Sequence, residues 1–179
     1  MEANIEAKVT LVTSTGRNLV VCSDGTGNSA GKGRGTNVWR IYEALEHKDQ
    51  LAIHDDGVGT SDNPVLKALG GAFGLGLASN VCQLYGWLAR HYVQGDRIYL
   101  FGFSRGAFTV RCLAGVIARC GLPDRAKVQK AQKSLNSVVS EAWQAYKRTQ
   151  RSFFGTDAPA EQLKSQLGLE VPIHFVGVW

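Results

Sequence analysis

Ser104 stands in Gly102-Phe103-Ser104-Arg105-Gly106, a glycine-x-serine-x-glycine pattern. A serine hydroxyl in such a setting attacks an acyl carbonyl, provided a base accepts its proton and fixed donors hold the oxyanion that forms. The spacing suits a nucleophile elbow, a tight turn between a strand and a helix that presents the serine. The two glycines then have a steric task, because a strained turn leaves no room for a Cβ on either side of the serine. The backbone N–H of Arg105 is the natural first oxyanion donor, at the positive end of the helix it opens. A second donor is expected from the loop after the first core strand, at Gly25 or Thr26. The Arg105 side chain has two open roles, holding an anionic group of the substrate or pairing with a surface carboxylate.

An elbow needs a strand before it and a helix after it, and the flanking residues provide both. Residues 98–101 are an apolar run of strand type, and residues 105–119 have the apolar content of a buried helix that stops at Gly121 with Pro123 beyond. Upstream, residues 19–23 form a continuous apolar run of the kind found in parallel strands buried on both faces. This run ends in Asp24-Gly25-Thr26-Gly27-Asn28, followed by a glycine-rich loop through Gly35. Thr36 is a good N-cap for a helix over residues 37–47, with Val38, Ile41, Tyr42 and Leu45 on one face. A second strand over 50–54 leads into Asp55-Asp56-Gly57-Val58-Gly59-Thr60.

Helical spacing returns over 75–92, after a short helix at 64–69 and a loose glycine-rich stretch at 70–76. The third strand, 97–101, carries the elbow. Asp124 caps a long polar helix over 125–151, residues 153–169 form an uninformative connection, and the last strand spans 171–179 with Ile173, Phe175 and Val176 toward the core. Residues 9–13 read as an edge strand. Alternating strands and helices give an α/β fold with a mainly parallel sheet flanked by helices, in a single domain over residues 1–179. In such a sheet, ligands bind beyond the C-terminal strand ends, where the loops at Asp24, Asp56 and Ser104 all lie.

Composition narrows the classes. The chain has 179 residues, 44% apolar and 20% charged, which suits a globular domain with a sizeable core. Its net charge is +5, with basic residues gathered at 32–40 and 125–151. The second cluster reads as a solvated helix face, and no nucleic-acid partner is expected. No basic and apolar leader opens the chain, and no apolar run is long enough to span a membrane, so neither a signal peptide nor a transmembrane segment is expected. Cys22, Cys82, Cys112 and Cys120 have apolar neighbours and no C-x-x-C pairing, which reads as core packing in a reducing, cytoplasmic setting without metal or disulfide.

The first loop has two other readings. A phosphate loop would need glycine where Thr26 stands and serine or threonine where Gly33 stands, so no nucleotide cofactor is expected. Asp24 at a strand end could serve as a metal ligand or catalytic carboxylate, but an aspartate accepting the amides of its own turn is the commoner arrangement. The same holds for Asp55 and Asp56.

Taken in order, LVVCSDGTGN, TNVWRIYEAL, DGVGT, GAFGLGL, GDRIYLFGFSRGAFTVR and HFVGVW resemble one family. It is the α/β-hydrolase domain family of formerly unknown function that includes the type VI secretion phospholipase effectors of the first class. The resemblance covers residues 19–122 and 172–179. It implies a partial α/β-hydrolase fold, a Ser-Asp-His triad, hydrolysis of phospholipid acyl esters without a cofactor, and possible delivery by a secretion system.

Only the nucleophile, Ser104, carries over. In the family the strand matched by HFVGVW is followed directly by the catalytic aspartate, and the histidine comes much later. Here Trp179 is the final residue, and the only histidine after Ser104 is His174, inside that strand. His47, His54 and His91 precede the nucleophile and read as helix-surface or strand-end residues. The chain is therefore expected to be the N-terminal part of a lipase-like serine ester hydrolase, with little turnover alone. A competing reading is a non-catalytic truncated homologue that binds lipid or a partner through its unfinished sheet. In a third, a partner chain completes the sheet and supplies the missing half of the triad.

Overall fold

A computed structural model describes residues 16–25, 35–46, 48–56, 72–151 and 158–179. The expected strand at 9–13 and short helix at 64–69 lie outside these residues. The strands are β1 (Asn18–Ser23), β2 (Gln50–Asp55), β3 (Arg97–Gly102), β4 (Leu122–Pro123), β5 (Gly168–Leu169) and β6 (Ile173–Val178). The helices are α1 (Asn37–Ala44), α2 (Ala72–His91), α3 (Arg105–Cys120), α4 (Arg125–Lys130), α5 (Leu135–Arg151) and α6 (Ala158–Leu167).

Four strands form a parallel sheet in the order β2-β1-β3-β6. β1 lies in its middle, and Leu19, Val20, Val21 and Cys22 are each at most 2% exposed. Alternate residues divide the sheet between two cores, as the two-residue period of a strand requires. Leu19, Val21, Ile98 and Leu100 face a large cluster with Leu84 and Leu88 of α2, Val110 and Leu113 of α3, and Ala142 of α5. Val20 and Cys22 face a smaller cluster built on Val38 of α1, flanked by Tyr42, Tyr99, Phe101 and Phe103. Helices on both faces of a parallel sheet make this an α/β fold, as the strand and helix order predicts.

The differences from expectation lie in the second half. The polar stretch 125–151 is two helices, not one. Asp124 caps α4 through bonds from the amides of Ala126 and Lys127, the chain turns at Gln132 with φ 55°, and the Ser134 hydroxyl accepts the Ser137 amide to start α5. Helix α2 already begins at Ala72, inside the stretch expected to be loose. The connection over 153–169 contains α6 and β5, the latter paired antiparallel with β4.

The last strand also departs from its expected place. Ile173 is partly buried against the larger core, but Phe175 is 49% and Val176 41% exposed, with Val178 and Trp179 exposed beside them. β6 is the outer strand of the sheet, bonded along one edge to β3, and among the described residues no strand lies on its other edge.

Candidate active site

The C-terminal ends of β1, β2 and β3 meet at one edge of the sheet, because Ser23 is in register with both Asp55 and Gly102. Ser104 lies two residues beyond β3 and directly before α3, and its side chain is exposed. Its backbone has φ 54° and ψ −116°, a combination that side-chain-bearing residues avoid. Hydrogen bonds on either side hold it there. Ser104 donates its N–H to the Trp179 carbonyl (2.9 Å), Phe103 donates to Ser23 (3.1 Å), and Gly106 donates back to Phe103 (2.8 Å). Although Ser104 occupies the N-cap position of α3, its hydroxyl makes no capping bond. The serine is thus displayed at a helix N-terminus without being used to cap it.

Both glycines of the pattern answer to close packing. A Cβ on Gly102 would stand 2.5 Å from the Gly106 carbonyl oxygen and 2.7 Å from Ala107 Cα. A Cβ on Gly106 would overlap the Ser23 carbonyl and lie 2.9 Å from that of Asp24. Helix α3 therefore sits directly on the end of β1, and the turn between β3 and α3 is correspondingly tight. The strain at Ser104 is open to measurement. Ser104→Gly relieves a backbone cost of order 1–3 kcal/mol and loses roughly 0.5–1 kcal/mol to the greater freedom of the unfolded chain. The variant is expected to be more stable by about 1 kcal/mol in urea unfolding, a gain bought at the expense of the hydroxyl.

Beside the elbow, Asp24 is 1% exposed and anchors a polar network. Its Oδ1 accepts the Gly25 N–H at 3.3 Å, and its Oδ2 accepts the Thr36 hydroxyl at 2.8 Å and faces His54 Nε2 at 3.1 Å. Thr36 also accepts the Trp39 amide as the expected N-cap of α1. His54 Nδ1 faces Asp56 Oδ1 at 3.2 Å, and the edge of its ring meets Trp39. Asp55 accepts bonds from the Ser23 hydroxyl (2.9 Å) and the Asn80 amide (2.8 Å). Asp24 thus behaves as a turn and cap acceptor that ties Gly25 to Thr36. Among the described residues, no group of three His, Cys, Asp or Glu side chains is arranged to hold a metal ion.

His54, Thr36 and Asn80 were not singled out as site residues. Only their partners make them so, and the signal for His54 was its position at a strand end next to a strand followed directly by Asp24. Of the expected oxyanion residues, Gly25 directs its N–H at its own neighbour's carboxylate, and Thr26 lies outside the described residues. Arg105 is half-buried and opens α3. His91 bonds the Trp87 carbonyl through Nδ1 at 2.8 Å, and the exposed His174 leans on Tyr99. The thiols offer no rival nucleophile. Burial, reinforced by the Asp24 charge, pushes Cys22 up to about 12, and burial raises Cys120 to about 11 and also raises Cys82 and Cys112.

A parallel sheet with helices on both faces and a strained serine between strand and helix places the chain in the α/β class that carries hydrolase elbows. Residues 17–179 match the family described as type VI secretion system phospholipase effector Tle1-like, catalytic domain. The chain belongs to that family. It is also 32% identical over 190 residues to an uncharacterised protein of Saccharomyces cerevisiae, a match covering 93% of this chain and 27% of the relative. The chain thus spans about a quarter of the length of the curated relative it matches. No solved structure matches it. No described helix is long and apolar enough to cross a membrane.

Proposed function

We propose that Ser104 is the nucleophile of a serine hydrolase that cleaves the acyl esters of phospholipids. The observation that carries this reading is the backbone of Ser104, held at φ 54° between β3 and α3 with its hydroxyl unused as a cap. Such strain persists where the surrounding structure imposes it, and a nucleophile is what it displays in this class of fold. The N-terminus of α3 would stabilise the oxyanion, with the Arg105 amide as first donor. Because the Gly25 amide is turned to Asp24, Thr26 is the better second donor. The glycines at 102 and 106 keep the turn tight, which would let substrate reach the serine, and the proposed role of the Arg105 side chain is to meet an anionic headgroup.

The acid and base are proposed to come from polypeptide beyond these residues, in the chain order Ser, acid, His that the fold requires. Support comes from the three histidines among the described residues, since His54 is held between Asp24 and Asp56, and His91 and His174 serve helix and strand packing. The exposed outer face of β6 is where further polypeptide, of the same chain or a partner, would complete the sheet. On this reading residues 1–179 are the N-terminal part of one α/β-hydrolase domain, with little turnover alone. The four free thiols support a reducing compartment, and family membership supports delivery by a secretion system.

The test is release of fatty acid from phospholipid vesicles by the full-length protein, with Ser104→Ala as the comparison. Release that depends on Ser104 supports the reading. Release of equal rate from the variant contradicts it.

A further inference from the structure

A groove of about 370 Å³ runs between α2, α3 and α5, one to two turns along α3 from the elbow. Its walls are Leu77, Phe108, Trp143 and Tyr146, and Arg111 and Lys147 stand among them. Among the described residues no carboxylate lines it. Phe108 is 54% exposed, an unusual state for a phenylalanine on a helix whose other large apolar residues are buried. The Lys147 ammonium lies 5.8 Å from the centre of the Trp143 ring, and among the described residues neither cation pairs with a carboxylate.

From this combination we infer that the groove binds the alkyl chain and carboxylate of a single long-chain fatty acid. An aromatic and aliphatic floor takes a hydrocarbon chain, and two cations without acidic partners take one anionic head, Arg111 by its two-pronged guanidinium. The volume lies at the low end of small-molecule sites, which run from about 300 to 1,000 Å³, so one chain fits rather than two. A peptide is a poorer occupant. All three walls are helices whose backbone groups are bonded within themselves, and a peptide backbone laid there would lose its hydrogen bonds to water without replacement.

The ligand's chemistry is read from the groove alone. That the bound acid is also the product released one turn away at Ser104 rests on the hydrolase reading above. Equilibrium dialysis of labelled laurate against the protein separates the two. One saturable site is expected, weakened about tenfold or more by Arg111→Gln with Lys147→Gln and lost in Phe108→Asp, with unfolding midpoints unchanged because Phe108 and Arg111 are exposed. Three results would overturn the inference: no saturable site, binding that survives both variants, or equal uptake of uncharged dodecanol. Binding of phosphatidylglycerol vesicles without binding of laurate would replace it with a lipid-surface contact. None of these outcomes bears on whether Ser104 is required for ester cleavage.

Discussion

Gly106→Ala should leave the protein barely folded, with a loss of more than about 3 kcal/mol in urea unfolding or no cooperative transition at all. The added methyl would overlap the Ser23 carbonyl, and Ser23 has little freedom to retreat. It ends the central strand, in register with Asp55 on one side and Gly102 on the other, and its carbonyl already accepts the Phe103 amide. Moving α3 away instead would open the core around Val110 and Leu113, both fully buried. A loss of that size is a large part of the 5–15 kcal/mol that holds a typical domain together. Gly115→Ala is the internal comparison on the same helix. Its methyl meets the ring of Tyr146, a side chain that can shift, and alanine gains up to about 1 kcal/mol of helix preference, so a much smaller loss is expected. Near-native stability for Gly106→Ala would mean that helix and strand do not meet as closely as the elbow requires.

Ser104→Ala should lower the full-length protein's kcat/KM on phospholipid by at least about a thousandfold, the scale seen when an acyl-transfer nucleophile is removed. The loss belongs to chemistry and not to folding, because the methyl keeps the strained backbone and the hydroxyl makes no capping bond whose removal would weaken α3. Stability close to that of the native protein is therefore expected alongside the loss of rate. Ser104→Gly separates the two effects from the other direction, being equally inactive and more stable.

The parts of the fold legible in the sequence were those where local pattern and tertiary role coincide. β1 is a short apolar run because both of its faces are covered, and the turn at 102–106 is marked by glycines because Cβ atoms would strike neighbouring backbone. The break between α4 and α5 was hidden because neither glycine nor proline marks it. The chain reverses at Gln132, a residue that carries no turn signal of its own. β4 and β5 are too short to show a period. The apolar pattern of β6 suggested burial for Ile173, Phe175 and Val176, but only Ile173 is partly buried, because β6 is the outer strand and a two-residue period does not show which strand lies at the edge. His54 belongs to the site through strand register, which sets it against Asp24 across thirty positions of sequence.

Ser104 is most directly tested by treating the 179-residue chain with a fluorophosphonate and following the rate and position of the adduct by intact mass and peptide mapping. A slow adduct, confined to Ser104 and absent from Ser104→Ala, is the predicted result for an elbow nucleophile whose base lies elsewhere. Two results would contradict it. Rapid stoichiometric labelling of Ser104 would place a working base among these residues, with His54 the first to examine, and equal labelling of Ser104→Ala would place the nucleophile elsewhere.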